Sequence, residues 1–184
     1  MANEGYTSML KTIDEYGYIK KNGVLAFQKG PLSQWYGAYE DQDGGFVYDT
    51  IYYNCAEQWM MARKAYIFND FDSMSDILKE KNPKNQKALG RKVTGYNQEA
   101  WDKSKKKIVF MGNVLKFSQN PSLYIYLNKT KGLTLVEAAP WDKVWGCGTG
   151  PDDERTFNIE EWQGENLLGK MIMKVRESIC EVGL

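Results

Sequence analysis

The chain has 184 residues, 42% of them apolar and 26% charged, and its 24 basic side chains balance 24 acidic ones. That describes a single globular domain able to bury a core without disulfides or metals, and it excludes a disordered chain or a strongly basic nucleic-acid footprint. The absence of histidine excludes Ser-His-Asp and Cys-His nucleophiles, His-ligated zinc and imidazole acid–base chemistry, leaving carboxylates, Lys, Tyr, Cys or water to move protons.

Residues 1–22 read as an N-terminal tail or added element, with one domain over 23–184. The first segment is polar and lacks the apolar core of a signal peptide. Val24-Leu25-Ala26-Phe27 predicts a strand stopped by Gly30-Pro31. Phe46-Val47-Tyr48 and Ile51-Tyr52-Tyr53 flank Asp49-Thr50 as a hairpin. Helical signals follow over Cys55–Phe68, with Asn54 suited to the N-cap and Glu57 to the N3 position of a capping box. Further helices are expected over Phe71–Lys81 and Lys84–Leu89, the latter ended by Gly90. The longest runs from Asn97 to Phe117, with Trp101, Ile108, Met111 and Leu115 as its apolar stripe. Asn120-Pro121 opens a short helix to Thr130, and Leu133 to Ala138 alternates like a strand. A Gly-, Asp- and Trp-bearing loop spans 140–165. A last helix, Asn166–Ile179, buries Leu168, Met171, Val175 and Ile179. The class expected is α+β, mostly helical with a small sheet.

The three cysteines, Cys55, Cys147 and Cys180, form no C-x-x-C pair, which fits a reducing cytoplasm and neither a disulfide framework nor a zinc site. No segment approaches the ~20 apolar residues of a transmembrane helix. The cations divide into 20 Lys and 4 Arg, so bidentate anion clamps are few and Arg63, Arg91, Arg155 and Arg176 each merit location.

Four clusters carry candidate chemistry. Glu57 and Lys64 lie seven residues apart, on one helix face, in the company of Trp59, Met60, Met61 and Tyr66. They fit a cap and a solvated ammonium, or an acid beside an amine whose pKa falls on desolvation. Glu137 shares strand parity with Leu133 and Leu135, so its carboxyl points inward as an ion-pair member or an acid–base group. Asp142 sits between Trp141 and Trp145, ahead of Gly146, Gly148 and Gly150, which permit close backbone approach to a ligand. Arg91 follows a helix end, as a phosphate grip or a dipole partner, with Trp101 ten residues on. Asn166 fits the N-cap of the last helix, whose N–H groups suit an anion as well as a plain cap. The run Lys103, Lys105, Lys106 and Lys107 reads as a solvated helix face.

In this order, CAEQWMMARKA (55–65), DSMSDIL (72–78), ALGRKVTGYNQEAW (88–101), LKFSQNPSLYIYLNKT (115–130), LVEAAPWDKVWGCG (135–148) and GENLLGKMIMKVRE (164–177) resemble the YbiA-like or NADAR family. The likeness runs over roughly residues 24–180. It departs from the family pattern where Leu32-Ser33-Gln34-Trp35 stands for a Ser-Asn-Phe-type motif. The resemblance implies an N-glycosidase cleaving the bond between ribose C1 and an exocyclic amine of a base. Substrates implied are ribosylamino-pyrimidine phosphates of riboflavin biosynthesis or ADP-ribosylated guanine in nucleic acid, with no metal or other cofactor. Lys64 is then the candidate Schiff-base nucleophile, Glu57 its proton shuttle, and Asp142 or Glu137 the stabiliser of cationic intermediates. Trp101 and Trp145 would stack the base, and Arg91, Lys116, Gly146 and Asn166 would contact phosphate and ribose. Two alternatives stay open. Glu57 and Asp142 suit direct hydrolysis across an oxocarbenium-like transition state, and a non-catalytic ADP-ribose- or nucleotide-binding module would keep the aromatics and Arg91. Strong binding to unmodified DNA or to a membrane is not expected.

Overall fold

The computed structural model describes residues 16, 18–39 and 42–180. Among them are five short strands and six α-helices: β1 Ile19–Lys21, β2 Val24–Phe27, β3 Phe46–Tyr48, β4 Ile51–Tyr53, α1 Ala56–Ile67, α2 Phe71–Lys79, α3 Pro83–Gly90, α4 Gln98–Gln119, α5 Pro121–Lys129, β5 Thr134–Glu137 and α6 Leu167–Cys180. Short 3-10 turns occupy Glu154–Phe157 and Ile159–Glu161. The architecture is the α+β, mainly helical arrangement expected. Of the N-terminal element expected over 1–22, residues 1–15 and 17 lie outside the described residues, and Ile19–Lys21 forms β1.

Two sheets form. In the first, β1 pairs antiparallel with β2, and β2 pairs parallel with β5, in the order β1-β2-β5. Asn22 and Gly23, both at positive φ (52° and 75°), make the two-residue turn that joins β1 to β2. All four residues of β2 are buried. Leu25 and Phe27 enter the main core, while Val24 and Ala26 pack with Val136, Cys147 and Phe157 on the opposite side. The second sheet is the β3–β4 hairpin predicted around Asp49-Thr50.

Side-chain capping marks three of the six helix starts. Asp70 accepts from the Ser73 N–H at 3.0 Å, Asn82 from Lys84 at 2.9 Å, and Asn97 from Ala100 at 2.9 Å. Pro83 and Pro121 open α3 and α5, where a missing N–H costs nothing. Asp70 also accepts from the Thr94 backbone and hydroxyl at 2.8 and 2.9 Å, so these bonds hold its carboxyl well below the usual range.

Two expectations need correction. The N-cap of α1 is Cys55, not Asn54. Asn54 instead donates to Lys81 O at 2.7 Å and accepts from Gln86 at 3.0 Å. Glu57 therefore falls at N2, and Gln58 at N3 reaches back to the Asn54 N–H at 2.8 Å. The buried face of α4 is Trp101, Val109, Gly112, Asn113, Lys116 and Phe117, while Met111 is 37% exposed. The stripe through Ile108, Met111 and Leu115 is thus displaced around the helix. Gly112 admits the Trp59 ring, where a Cβ would lie 2.4 Å from Trp59 Cδ1, and the Trp59 indole donates to Ile108 O at 2.8 Å. The last helix packs as expected, with Leu168, Met171, Val175 and Ile179 buried.

Candidate active site

A cleft of about 780 Å³ opens among α1, α3, the start of α4, the loop 28–42 and the loop after β5. Glu57 and Lys64 of α1 both line it, with Met61 between them. Because Glu57 caps no helix N–H, its side chain is free to face the cleft, and it is 2% exposed. Its backbone N–H donates to Gln34 O at 2.9 Å. Glu57 Oε1 has no hydrogen-bond partner among the described residues. Burial pushes the Glu57 carboxyl up to about 7, and the Asp142 charge adds to this, against opposing effects of Lys87, a Trp35 hydrogen bond and Arg91.

Glu137 closes β5, opposite Phe27 in the parallel register. Burial, then Asp142, pushes its carboxyl up to about 8, while Lys87 pulls the other way. Both glutamates are thus poised to hold a proton near neutral pH, as general acids must. Asp142 Oδ1 accepts from the N–H groups of Val144 and Trp145 at 3.0 and 2.8 Å, which anchors it in the loop. Lys64 Nζ donates to Gly90 O at 2.7 Å and lies 4.4 Å from the Tyr96 ring centroid and 5.7 Å from that of Trp101. Partial burial, then Arg91, lowers its pKa, raising the fraction of free amine. Gly90 makes this reach possible: a Cβ there would meet Met61 Sδ at 2.0 Å.

Of the residues singled out in the sequence, Glu57, Lys64, Arg91, Trp101, Glu137, Asp142 and Trp145 all line the cleft. Lys116, Gly146 and Asn166 do not line it, and each has a structural contact. Asn166, at φ 50°, stands before α6 but caps it with no side-chain bond; its amide accepts from Glu137 N–H and donates to Leu135 O, both at 3.0 Å. Gly146 O accepts from Asn166 N–H at 3.0 Å, and a Cβ on Gly146 would lie 2.8 Å from Asp142 O. These two residues therefore brace Glu137 and Asp142 from behind. Arg176 likewise binds backbone, at Thr130 O and Leu133 O.

Lys116 is fully buried; its Nζ donates to Ser33 O at 2.7 Å and lies near the Tyr36 and Phe117 rings. Burial pulls its pKa down to about 7. A lowered lysine pKa means the charged folded form is penalised below about pH 7, and the penalty fades as pH rises toward the unfolded value of about 10.4. Lys116→Met should therefore stabilise the protein by about 1–2 kcal/mol at pH 6, net of the lost Ser33 bond. Urea midpoints should show that gain shrinking by pH 9.5.

Sequence reasoning missed Lys87 and Tyr96, both on the cleft wall. Lys87 had a detectable signal: it lies four residues before Arg91, one helical turn away. Gln34 and Trp35, which also line the cleft, lie in a loop without periodicity and were marked only by the departure from the family's Ser-Asn-Phe-type motif. Cys55 is buried and its thiol is pushed up to about 12 by burial, so it is no nucleophile. Among the described residues, no group of three or more Cys, Asp or Glu is arranged to hold a metal, and no helix is long and apolar enough to cross a membrane.

The chain is 46% identical over 125 residues, 68% of its length and 74% of the relative's, to an N-glycosidase of Acanthamoeba polyphaga mimivirus. It is 31% identical over 148 residues, 79% of its length and 87% of the relative's, to an N-glycosidase of Nostoc punctiforme. Its fold matches that of the Escherichia coli protein YbiA with a TM-score of 0.70 at 20% identity, over 93% of each chain. Residues 21–180, which carry every cleft residue described above, match the model of the NADAR domain. The protein belongs to the NADAR domain family.

Proposed function

We propose that the protein is an N-glycosidase that hydrolyses the bond between ribose C1 and an exocyclic amine of a base through a Schiff base on Lys64. The observation carrying this reading is one cleft lined by the buried Glu57, the half-buried Glu137 and the half-buried Lys64, whose surroundings raise both carboxyls and lower the amine. Each half of the chemistry needs one of these states. An amine leaves only with a proton, and a lysine attacks only without one.

In the proposed sequence the C1–O4 bond of the ribosylamine breaks, the ring oxygen taking a proton from Glu137, and leaves an iminium at C1. The Lys64 amine adds there, and the C1–N bond to the base breaks as Glu57 hands a proton to the departing amine. Water then adds to the lysine imine, its proton returns to the glutamate pair, and C–N cleavage frees the sugar and Lys64. Asp142, fixed by the loop, stabilises the cationic intermediates. Trp101, Trp145 and Tyr96 offer flat surfaces to the base, and Arg91 and Lys87 offer charge to phosphate. No step calls on a metal.

Two substrates fit this chemistry: a ribosylamino-pyrimidine phosphate and guanine ADP-ribosylated on its amine. Purified protein should release base from one of them, as read by chromatography. Borohydride added during turnover should reduce the imine and fix the sugar on Lys64, a mass increment located by peptide mass spectrometry. Base release with no trapped adduct would favour direct hydrolysis by Glu57 and Asp142. No release, with retained ADP-ribose binding, would leave a binding module.

A further inference from the structure

The loop 31–37 lays Gln34 along the cleft wall, yet the side chain is only 8% exposed. Its carboxamide is held in one orientation by α4. Asn113 Nδ2 donates to Val109 O at 2.9 Å, which fixes the Asn113 amide, and also donates to Gln34 Oε1 at 2.9 Å. The oxygen of Gln34 is thereby spent, and its NH2 group has no hydrogen-bond partner among the described residues. A buried donor left unpaired is costly, and such groups persist where a ligand completes them.

The surroundings indicate which part of a ligand that is. Gln34 O accepts from the Glu57 N–H at 2.9 Å, and the next residue, Trp35, lies beside the Glu57 carboxyl and lowers its pKa. Of the cations lining the cleft, Lys64, Lys87 and Arg91 come from α1 and the end of α3, Lys105 from α4, Lys143 from the loop after β5, and Lys29 from five residues before Gln34. A charged phosphate favours guanidinium and ammonium groups. A neutral, fixed amide donor beside the proton-donating glutamate suits a carbonyl oxygen or ring nitrogen of the leaving base. Resting on the N-glycosidase reading, we infer that Gln34 is a specificity residue whose NH2 group donates to an acceptor on that base, with Asn113 as its positioning residue. Lys116 serves the same loop by holding Ser33 O, which accounts for two polar residues on the buried face of α4.

The test is steady-state base release with product inhibition measured separately for each half of the substrate. The halves are the aminopyrimidine and ribose 5-phosphate for one substrate, and a guanosine oligonucleotide and ADP-ribose for the other. Gln34→Met should weaken inhibition by the base half about tenfold or more while the sugar-phosphate half stays within about twofold. Asn113→Leu should give the same asymmetry, with a smaller loss. Equal weakening of both halves, or of neither, overturns the assignment. If the wild-type protein turns over neither substrate, the N-glycosidase reading falls. Calorimetric binding of the same halves then decides Gln34 separately, selective loss of base binding supporting it and any other pattern overturning it.

Discussion

Lys64→Ala is expected to lower base release by about a thousandfold or more and to abolish the borohydride-trapped adduct, because removing a covalent nucleophile removes the whole path. Lys64→Arg sharpens the result. Arginine keeps the positive charge and the reach toward Gly90 O, but its guanidinium never deprotonates in the working range. A role limited to tuning the glutamates would leave Lys64→Arg substantially active. A nucleophilic role leaves it as inactive as the alanine variant. Circular dichroism controls for folding, since Lys64 contributes one hydrogen bond from a partly buried position.

Glu57→Gln should cost about 10²–10⁴-fold in turnover, the range for loss of a general acid. It should also stabilise the protein, with a definite pH signature. The Glu57 carboxyl is raised to about 7 in the fold, from an ordinary value near 4.5. Between those values the folded state keeps a proton that the unfolded state gives up, so wild-type stability falls as pH rises through that window. Glutamine never ionises and avoids that loss. The variant should therefore match wild type below about pH 4.5 and exceed it by about 3 kcal/mol at pH 8, as read from urea unfolding. Equal stability at both pH values would mean the Glu57 carboxyl is not held up by burial. Turnover of the wild-type enzyme should itself be bell-shaped, rising with Lys64 deprotonation and falling as Glu57 and Glu137 lose their protons.

Regular elements were legible in the sequence because their signals are local. Asn97 and Asn120-Pro121 mark helix starts, and Asp49-Thr50 marks the hairpin. The pairing of Glu57 with Lys64 was legible for the same reason, since helical spacing alone puts both on one face. The polar seam of α4 was not. Periodicity assumes that apolar side chains point inward, whereas Asn113 and Lys116 are buried to hold a loop about 80 residues earlier. Asn166 was placed at the right position with the wrong partner, because its ligands are backbone atoms of a strand about 30 residues upstream.

The parallel pairing of β2 with β5 has a consequence for how the protein matures. Glu137 meets its partner residue Phe27 only when strands more than a hundred residues apart have joined, and the Asn166 clamp on Leu135 and Glu137 arrives later still. On the ribosome, α1 with Glu57 and Lys64 emerges long before the wall that completes the cleft. Closing so long a loop before any contact repays it is slow. Nascent chains that end before α6 therefore carry Lys64 and Glu57 without Glu137 braced on the facing wall. Catalytic competence should appear late and abruptly during synthesis, as the C-terminal helix docks.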